Sequence, residues 1–460
     1  MGEQNIAIIG AGPAALYAAE VLSKAGKHVA ILNRDVKPGG LAEYGIYPNK
    51  YKMKGGLRKM FDKILSDPKI SYFGNVTVGH GGNLSLSEVR AMGFDAVIVA
   101  VGAQGTKWLG LPGENTPGVY HAKDLVYHYN HLPPFSERDY KIGQHACVIG
   151  LGNVSLDIAH WLVYDRKVAT VTTVARRGPA EKAYTDKEMK IVGGTLDVEQ
   201  ISREFETIAF NVQSAGQDPD ALLADVLAFK HGELECETPA KLGMRFLRGP
   251  AGVEVDAAGN VTGLICDVND LVKKDDGSVG IKPAGRQEVI PCDTVIFAIG
   301  DSIEPSLDLP VDAKTGNFAT VADKWDVHPE RPRYMVFDPA TGEPVWGTFV
   351  VGWARKASDG LVGKARLDAI NGCEEITAYL NGDMAGKPAE ARAAGEPIEA
   401  LRSRLKERHV AFVDYDAVRR LTRHEAQIAE QTGLPEFKFK SNEQMLQLCH
   451  SDEAMATSGA

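Results

Sequence analysis

No CxxC pair occurs in this chain: its six cysteines, Cys147, Cys236, Cys266, Cys292, Cys373 and Cys449, are scattered. That excludes the vicinal redox pair of a dithiol reductase and the tight ligand spacing of an iron–sulfur or zinc site, so no metal is expected. A disulfide framework does not suit a chain of this length and thiol density, and cytosolic thiols are the simpler reading. Long apolar runs are missing as well; none approaches the roughly 18 residues that span a bilayer. The N-terminus enters a β-branched segment almost at once, without the basic and apolar regions of a signal peptide. These absences predict a cytoplasmic protein with no membrane span. A basic excess is also missing. The formal charge is −10, and the 24% charged residues interleave both signs. This disfavours nucleic acid as a partner and a polybasic membrane anchor.

What the chain has in plenty is glycine, 48 residues of 460, above the roughly 7% average. Several of these glycines punctuate strand–helix boundaries. At roughly 100–200 residues per domain, the length predicts two to four domains. The 44% hydrophobic content is enough for a sizeable core.

Asn5 to Ile9 reads as a buried parallel strand. Ala14 to Lys24 follows with helical periodicity and ends near Gly26. His28 to Leu32 is a second strand, completing a βαβ unit. Ala96 to Val101 reads as another strand, ending at Gly102. Thr106 to Gly143, with Pro112, Pro117, Pro133 and Pro134, reads as a crossover. Ala146 to Ile149 then restarts the pattern, with a helix over Val154 to Val163 and a strand over Val168 to Ala175. Val295 to Ile299 and Phe349 to Val351 are further short strands. Residues 386–400 read as a linker, Leu401 to His450 as helical, and the last ten residues as disordered. Two copies of strand–glycine–helix–strand indicate two Rossmann-like domains, not a solenoid.

The first turn, Gly10-Ala11-Gly12-Pro13-Ala14-Ala15, fits a dinucleotide fingerprint. Gly10 permits the tight turn, Gly12 lets a pyrophosphate approach, and Ala15 allows close helix–strand packing. The helix N-terminus favours the anion. The acid expected after the second strand, for the ribose hydroxyls, is replaced by Asn33, which can still bond a hydroxyl without charge assistance. The second turn is Gly150-Leu151-Gly152-Asn153-Val154-Ser155. Its following strand ends in Arg176-Arg177, where an arginine accommodates the 2′-phosphate of NADP through planar, bidentate donors. The alternative is a solvated basic pair at a strand end.

With these motifs, the chain resembles the adrenodoxin reductase group of ferredoxin–NADP reductases, and more distantly the small subunit of glutamate synthase. The resemblance runs nearly the whole length. It includes Gly40-Leu41-Ala42-Glu43-Tyr44-Gly45-Ile46, similar to a flavin-binding segment, Tyr72-Phe73-Gly74-Asn75-Val76 and Leu111-Pro112-Gly113-Glu114. It is densest from Val148 to Asp157, with Arg176-Arg177-Gly178-Pro179, Tyr184-Thr185 and Glu188. Gly352-Trp353 with Gly360-Leu361-Val362 resembles the segment that meets flavin and nicotinamide. Val413-Asp414-Tyr415 and Gln444-Met445-Leu446 resemble the family's C-terminal element. The chain departs from the family at Asn33, at Pro48-Asn49-Lys50 where Pro-Asp-His is usual, and in the segment after Trp353. It also carries an insertion over roughly 323–346 and a shortened segment around Pro219 to Arg248.

The resemblance implies an α/β fold of two Rossmann-like dinucleotide-binding domains, glutathione-reductase-like, with the FAD domain interrupted by the NADP domain. The divisions are 1–106 (FAD, first part), 107–305 (NADP) and 306–460 (FAD, second part, with a C-terminal helical extension). It implies a flavoprotein enzyme binding FAD and NADP(H), with hydride transfer between them and single electrons passed to a ferredoxin-like iron–sulfur protein. Gly10, Gly12, Pro13, Ala14, Asn33, Gly40, Leu41, Gly45, Gly102, Gly352, Trp353, Gly360, Leu361 and Val362 then fall to the flavin. Gly150, Gly152, Asn153, Val154, Arg176, Arg177 and Glu188 fall to NADP(H). Trp353 covers the flavin or is ordinary core packing; Glu188 is a nicotinamide-side carboxylate or a solvated helix residue. Lys50 and Lys54 hold a cofactor or partner, or are surface lysines. For an acidic ferredoxin, the docking candidates are Lys50, Lys52, Lys54, Lys59 and Arg58, with Arg355 and Lys356. Two other classes stand beside this one: the electron-input subunit of a larger enzyme, and a nucleotide-binding redox sensor.

Overall fold

The computed structural model describes residues 3–232, 238–320, 333–356, 362–384 and 396–457, with side chains up to 451. The chain forms two compact units. Met1–Thr106, Tyr127–Glu137 and Asp301–Ala460 make the first; Lys107–Val126 and Arg138–Gly300 make the second.

The first unit is built on a six-stranded sheet. Its order is Met335–Asp338, Glu343–Val350, Ala96–Val99, Asn5–Ile9, His28–Asn33 and Ile70–Gly74. All pairs are parallel except the hairpin of the first two strands. Asn5–Ile9 is buried along its whole length, as a parallel strand covered on both faces must be. Side chains alternate between two cores. Ile6 and Ile8 join Leu16 and Leu22 of the helix Pro13–Lys24 and Ile376 of the helix Val362–Asn381. Ala7 and Ile9 join Leu86, Val89, Leu401 and Leu405 on the other face. Pro13 stands at the first helical turn, where its missing N–H costs nothing.

The second unit has a five-stranded parallel sheet, ordered Val119–His121, Thr294–Phe297, His145–Ile149, Thr170–Val174 and Lys241–Arg245. Beside it runs a three-stranded antiparallel sheet, Arg248–Val255, Val261–Lys273 and Val279–Pro291. Cys147 is buried in the core with Val174, Leu264 and Phe297, as a small hydrophobe.

The α/β fold expected from the sequence is the fold observed, with several local corrections. Thr106 to Gly143 is more than a crossover. Val119–His121 adds a strand to the second sheet, and the helix Ala122–Tyr129 follows. Tyr127–Glu137 belongs to the first unit, because Tyr127 and Leu132 pack on Tyr44. The chain re-enters that unit at Asp301. Of the last ten residues, expected to be disordered, 451–457 continue the helix Asn442–Thr457, and 458–460 lie outside the described residues. In the expected linker, Pro397 already begins the helix Pro397–Glu407; residues 385–395 lie outside the described residues, as do 323–332 of the insertion, Cys236, Gly360 and Leu361.

Candidate functional site

The two glycine turns are near copies in geometry. Gly10 has φ +102° and Gly150 φ +126°, a backbone region that side chains rarely adopt. A Cβ on Gly10 would stand 2.6 Å from the Ala100 carbonyl oxygen, and one on Gly150 would clash with that of Ala298. The Gly10 N–H donates to the Leu32 carbonyl (2.7 Å) and the Gly150 N–H to that of Val174 (2.9 Å), so each turn is tied to the neighbouring strand. Gly12 and Gly152 cap the following helices, Pro13–Lys24 and Asn153–His160. A Cβ on either would meet nothing within 4 Å among the described residues. Each helix N-terminus therefore opens onto free space that only glycine leaves unfilled, beside unsatisfied N–H groups suited to an anion.

Around the first turn, Gly40 has φ +50° and comes close to Gly12: a Cβ on Gly40 would be 3.0 Å from the Gly12 Cα. The Gly39 N–H donates to the Ala11 carbonyl (2.8 Å). Leu41 opens the short helix Leu41–Tyr44 and Gly45 closes it, its N–H bonded to the Leu41 carbonyl (2.8 Å). Gly352 packs against Ala14, leaving no room for a side chain. Its N–H donates to the Asp368 carboxylate (2.6 Å). Half-buried Trp353 follows in the 3-10 turn Gly352–Ala354. Gly102 has φ +71° just beyond the strand Ala96–Val99. Val362 begins the helix Val362–Asn381.

Asn33 sits at the end of its strand with its side chain turned inward. Its Oδ1 accepts from the Ala11 N–H (3.2 Å), and its Nδ2 faces the Asp35 carbonyl (2.8 Å), the Lys37 carbonyl (3.1 Å) and the Tyr72 hydroxyl (3.0 Å). The amide thus binds the glycine turn to the loop after the strand. An aspartate could accept from Ala11 but could not donate to the carbonyls.

Around the second turn, Asn153 Oδ1 accepts the Thr185 N–H (2.8 Å), and the Ala183 N–H donates to the Leu151 carbonyl (3.0 Å). These bonds hold the helix Asp186–Val192 beside the turn, with half-buried Glu188 in its first turn. Val154 is 48% exposed. Arg176 and Arg177 are exposed just past Thr170–Val174. Neither guanidinium is ion-paired among the described residues, and both stay available to an outside anion.

Sequence reasoning missed His121, at the carboxyl end of the edge strand of the second sheet. It is 2% exposed. Its Nδ1 accepts the Lys123 N–H (3.2 Å), while its buried Nε2 has no hydrogen-bond partner among the described residues. Burial holds its pKa down at about 4, so it is neutral near pH 7. Trp108 lies across it at 5.8 Å.

The docking lysines need correction. Lys54 is fully buried; its ammonium donates to Asn130 Oδ1 (2.8 Å) and to Glu436 (3.4 Å), and burial pushes its pKa down to about 8. Arg58 grips both oxygens of Glu43 (2.6 Å each) and also Glu436. Arg355 is ion-paired to Asp368 and stacked on Tyr334. Lys37 and Lys438 complete a buried cluster: Glu43, Glu425 and Glu436 share Lys37, Lys54, Arg58 and Lys438. These cations hold the Glu43 carboxyl well below the usual carboxylate range, against the opposing effect of its burial.

Among the described residues, no group of His, Cys, Asp and Glu could hold a metal ion, and no helix is long and apolar enough to cross a membrane. The family model for pyridine nucleotide-disulphide oxidoreductases matches residues 4–236. The chain is 28% identical over 478 residues to NADPH-ferredoxin reductase FprA of Mycobacterium leprae, covering 97% of this chain and 98% of that one. It is 26% identical over 476 residues to the mitochondrial NADPH:adrenodoxin oxidoreductase of Homo sapiens, covering 96% and 91%. The solved structure of Mycobacterium tuberculosis FprA in complex with NADPH superposes with a TM-score of 0.78 at 26% identity, over 97% of this chain and 100% of that one. Two glycine turns of one design and a match along nearly the whole length lead to one conclusion: the chain belongs to the pyridine nucleotide-disulphide oxidoreductase family, in its adrenodoxin reductase-like branch.

Proposed function

We propose that this chain is an FAD-dependent reductase that takes hydride from NADPH and passes electrons singly to an iron–sulfur protein of ferredoxin type. The observation that carries this reading is the pairing of two open glycine turns with a pair of arginines, not ion-paired among the described residues, at the second alone. The space left by Gly12 and Gly152 suits two pyrophosphates, one per unit. We assign the first unit to FAD and the second to NADP(H).

FAD, when bound, supplies the two-electron acceptor for a hydride and the one-electron donor for the partner. The chain's own residues bind and orient. Gly10, Gly12, Pro13 and Ala14 present the first helix N-terminus to the flavin's pyrophosphate. Asn33 keeps that turn in shape from within. Gly40, Leu41, Gly45 and Gly102 would line the same nucleotide, and Gly352, Trp353 and Val362 would flank its ring; Gly360 and Leu361, assigned to the flavin by the resemblance, lie outside the described residues. Gly150, Gly152, Asn153 and Val154 present the second N-terminus. Arg176 and Arg177 bind the 2′-phosphate with planar donors. Glu188 faces the nicotinamide side. The five described cysteines are free and buried, which supports a reducing, cytoplasmic setting.

The test is anaerobic titration of the purified yellow protein with NADPH and with NADH, followed by addition of a [2Fe–2S] ferredoxin. Bleaching by NADPH at lower concentration than by NADH, then ferredoxin reduction, is expected. A colourless protein that cannot be reconstituted with FAD would sink the reading.

A further inference from the structure

The helix Tyr51–Leu65 has two unlike sides. Inward, Phe61, Ile64 and Leu65 enter the core, and Lys54 and Arg58 enter the buried ion cluster. Outward, it exposes Lys52, Lys59 and Lys63, with Met53 at 48% and Met60 at 42%. At 3.6 residues per turn these five fall within about a third of the circumference. No acid shares that sector. The helix's one acid, Asp62, lies elsewhere, bonded to Arg419 and the Tyr415 hydroxyl (both 2.9 Å). None of the three lysines is ion-paired among the described residues. Other helices of the chain pair their surface charges: Lys24 with Glu20, Arg203 with Glu199, Arg402 with Glu399 and Arg404 with Glu407. A solvated face normally mixes signs in this way. An acid-free lysine face contrasts with these pairs, in a chain of net charge −10.

We propose that this outer face docks the acidic surface of the electron-accepting protein; the assignment rests on the ferredoxin-type reading above. Lysines concentrated on one face raise the encounter rate of an acidic partner without needing tight contacts. Exposed methionines supply adaptable apolar contact, and methionine is enriched at interfaces. Small, transient interfaces are usual for redox encounters. The face is also placed for electron exit. Tyr17, on the helix that starts at the first glycine turn, packs edge-on against Phe61 at 6.2 Å, and its hydroxyl donates to the Met60 sulfur (2.7 Å). Arg58 ties the same helix to Glu43 of the Gly40–Gly45 segment. The basic face is thus backed by the two elements assigned to the flavin.

The experiment is stopped-flow association of the FAD-loaded enzyme with two purified acidic probes, a plant-type [2Fe–2S] and a bacterial [4Fe–4S] ferredoxin, at low and high salt. Lys52→Glu/Lys59→Glu/Lys63→Glu should slow association about tenfold to a hundredfold at low salt and flatten the salt dependence. NADPH-driven reduction of ferricyanide should not change. Reversal of three exposed charges elsewhere on the same unit, Arg404→Glu/Lys406→Glu/Arg423→Glu, should have a much smaller effect. The milder Lys→Gln triple variant should fall between and guards against a folding defect. Met53→Ser should speed dissociation with little change in association. If the unmodified enzyme reduces a ferredoxin with a steep salt dependence and the triple reversal behaves identically, the docking face lies elsewhere and this assignment fails. If the unmodified enzyme reduces ferricyanide but neither ferredoxin, the partner reading itself fails, and the face with it.

Discussion

The ammonium of Lys438 donates to the main-chain carbonyl of Glu43 at 2.8 Å and lies 3.1 Å from its carboxylate. A residue near the C-terminus thus secures, from beneath, the segment that we assign to the flavin. Lys438 also sits over the Tyr44 ring at 4.8 Å, and both side chains are almost fully buried. The C-terminal region is therefore structural support for the Gly40–Gly45 segment.

The ion cluster makes a prediction of unequal mutations. Four cations surround three carboxylates, and among the described residues Glu43 is the carboxylate paired with buried Lys438, so removing it leaves that ammonium with carbonyl partners alone. Glu43→Gln should cost about 3–5 kcal/mol, as for other broken buried pairs, and should loosen flavin binding. Lys54→Met removes the surplus cation and should be neutral or stabilising. The pH dependence separates the two. The folded pKa of Lys54 is lowered to about 8, so the unfolded chain holds more protons between pH 8 and 10.5 and stability rises across that window. Lys54→Met should lose this rise. The Glu43 carboxyl is held low, so its contribution is present above about pH 4.5 and is lost as the pH falls below that. Urea denaturation across pH reads both.

The open space at Gly12 makes flavin retention sensitive to one side chain. Gly12→Val should abolish it while the fold survives, because no atom of the described residues lies within 4 Å of the new Cβ. A yellow Gly12→Val protein with full flavin content would show that no pyrophosphate occupies that space. Circular dichroism of the same preparation checks the fold.

Arg176 and Arg177 should select the nicotinamide. A hydrogen bond to a charged group is worth about 1.5–3 kcal/mol, very roughly tenfold to a hundredfold in affinity. Arg176→Ala and Arg177→Ala should each weaken NADPH by that factor and NADH far less. Equal losses would show that neither arginine reads the 2′-phosphate.

Acid should destabilise the second unit through His121. Its folded pKa is lowered to about 4 against an ordinary 6.5. The unfolded chain therefore takes up a proton first, and stability falls from pH 6.5 to about 4. The full effect is up to roughly 3 kcal/mol. In His121→Phe, the part of the acid sensitivity in that window should shrink, as measured by denaturant midpoints. An unchanged slope would mean that His121 is not held neutral.

Much of the scaffold was legible along the chain. Asn5–Ile9 is continuous and β-branched, and a turn that needs positive φ at Gly10 and Gly150 accepts little but glycine. These are local constraints, and they repeat. Arg176-Arg177 was legible because its distance from the second turn is set by one helix and one strand. The antiparallel sheet from Arg248 to Pro291 was not. Glycines, prolines and a charged loop interrupt its alternation, and its pairing is decided across strands. The strand Val119–His121 was hidden for a related reason: three residues carry no period.

Charged and polar side chains mark the division most clearly. Where the glycine turns stand, and which of them is followed by arginines, can be read along the chain, because those features depend on neighbours a few residues away. That Asn33 faces inward, and that Lys54, Arg58 and Arg355 are consumed in ion pairs while Lys52, Lys59 and Lys63 remain outside, is set by the folded arrangement. A lysine's own neighbours do not say whether its ammonium meets water or a carboxylate. For Lys54 the partner is Glu436, far along the chain, and the burial of that charge depends on the whole fold that brings the two together.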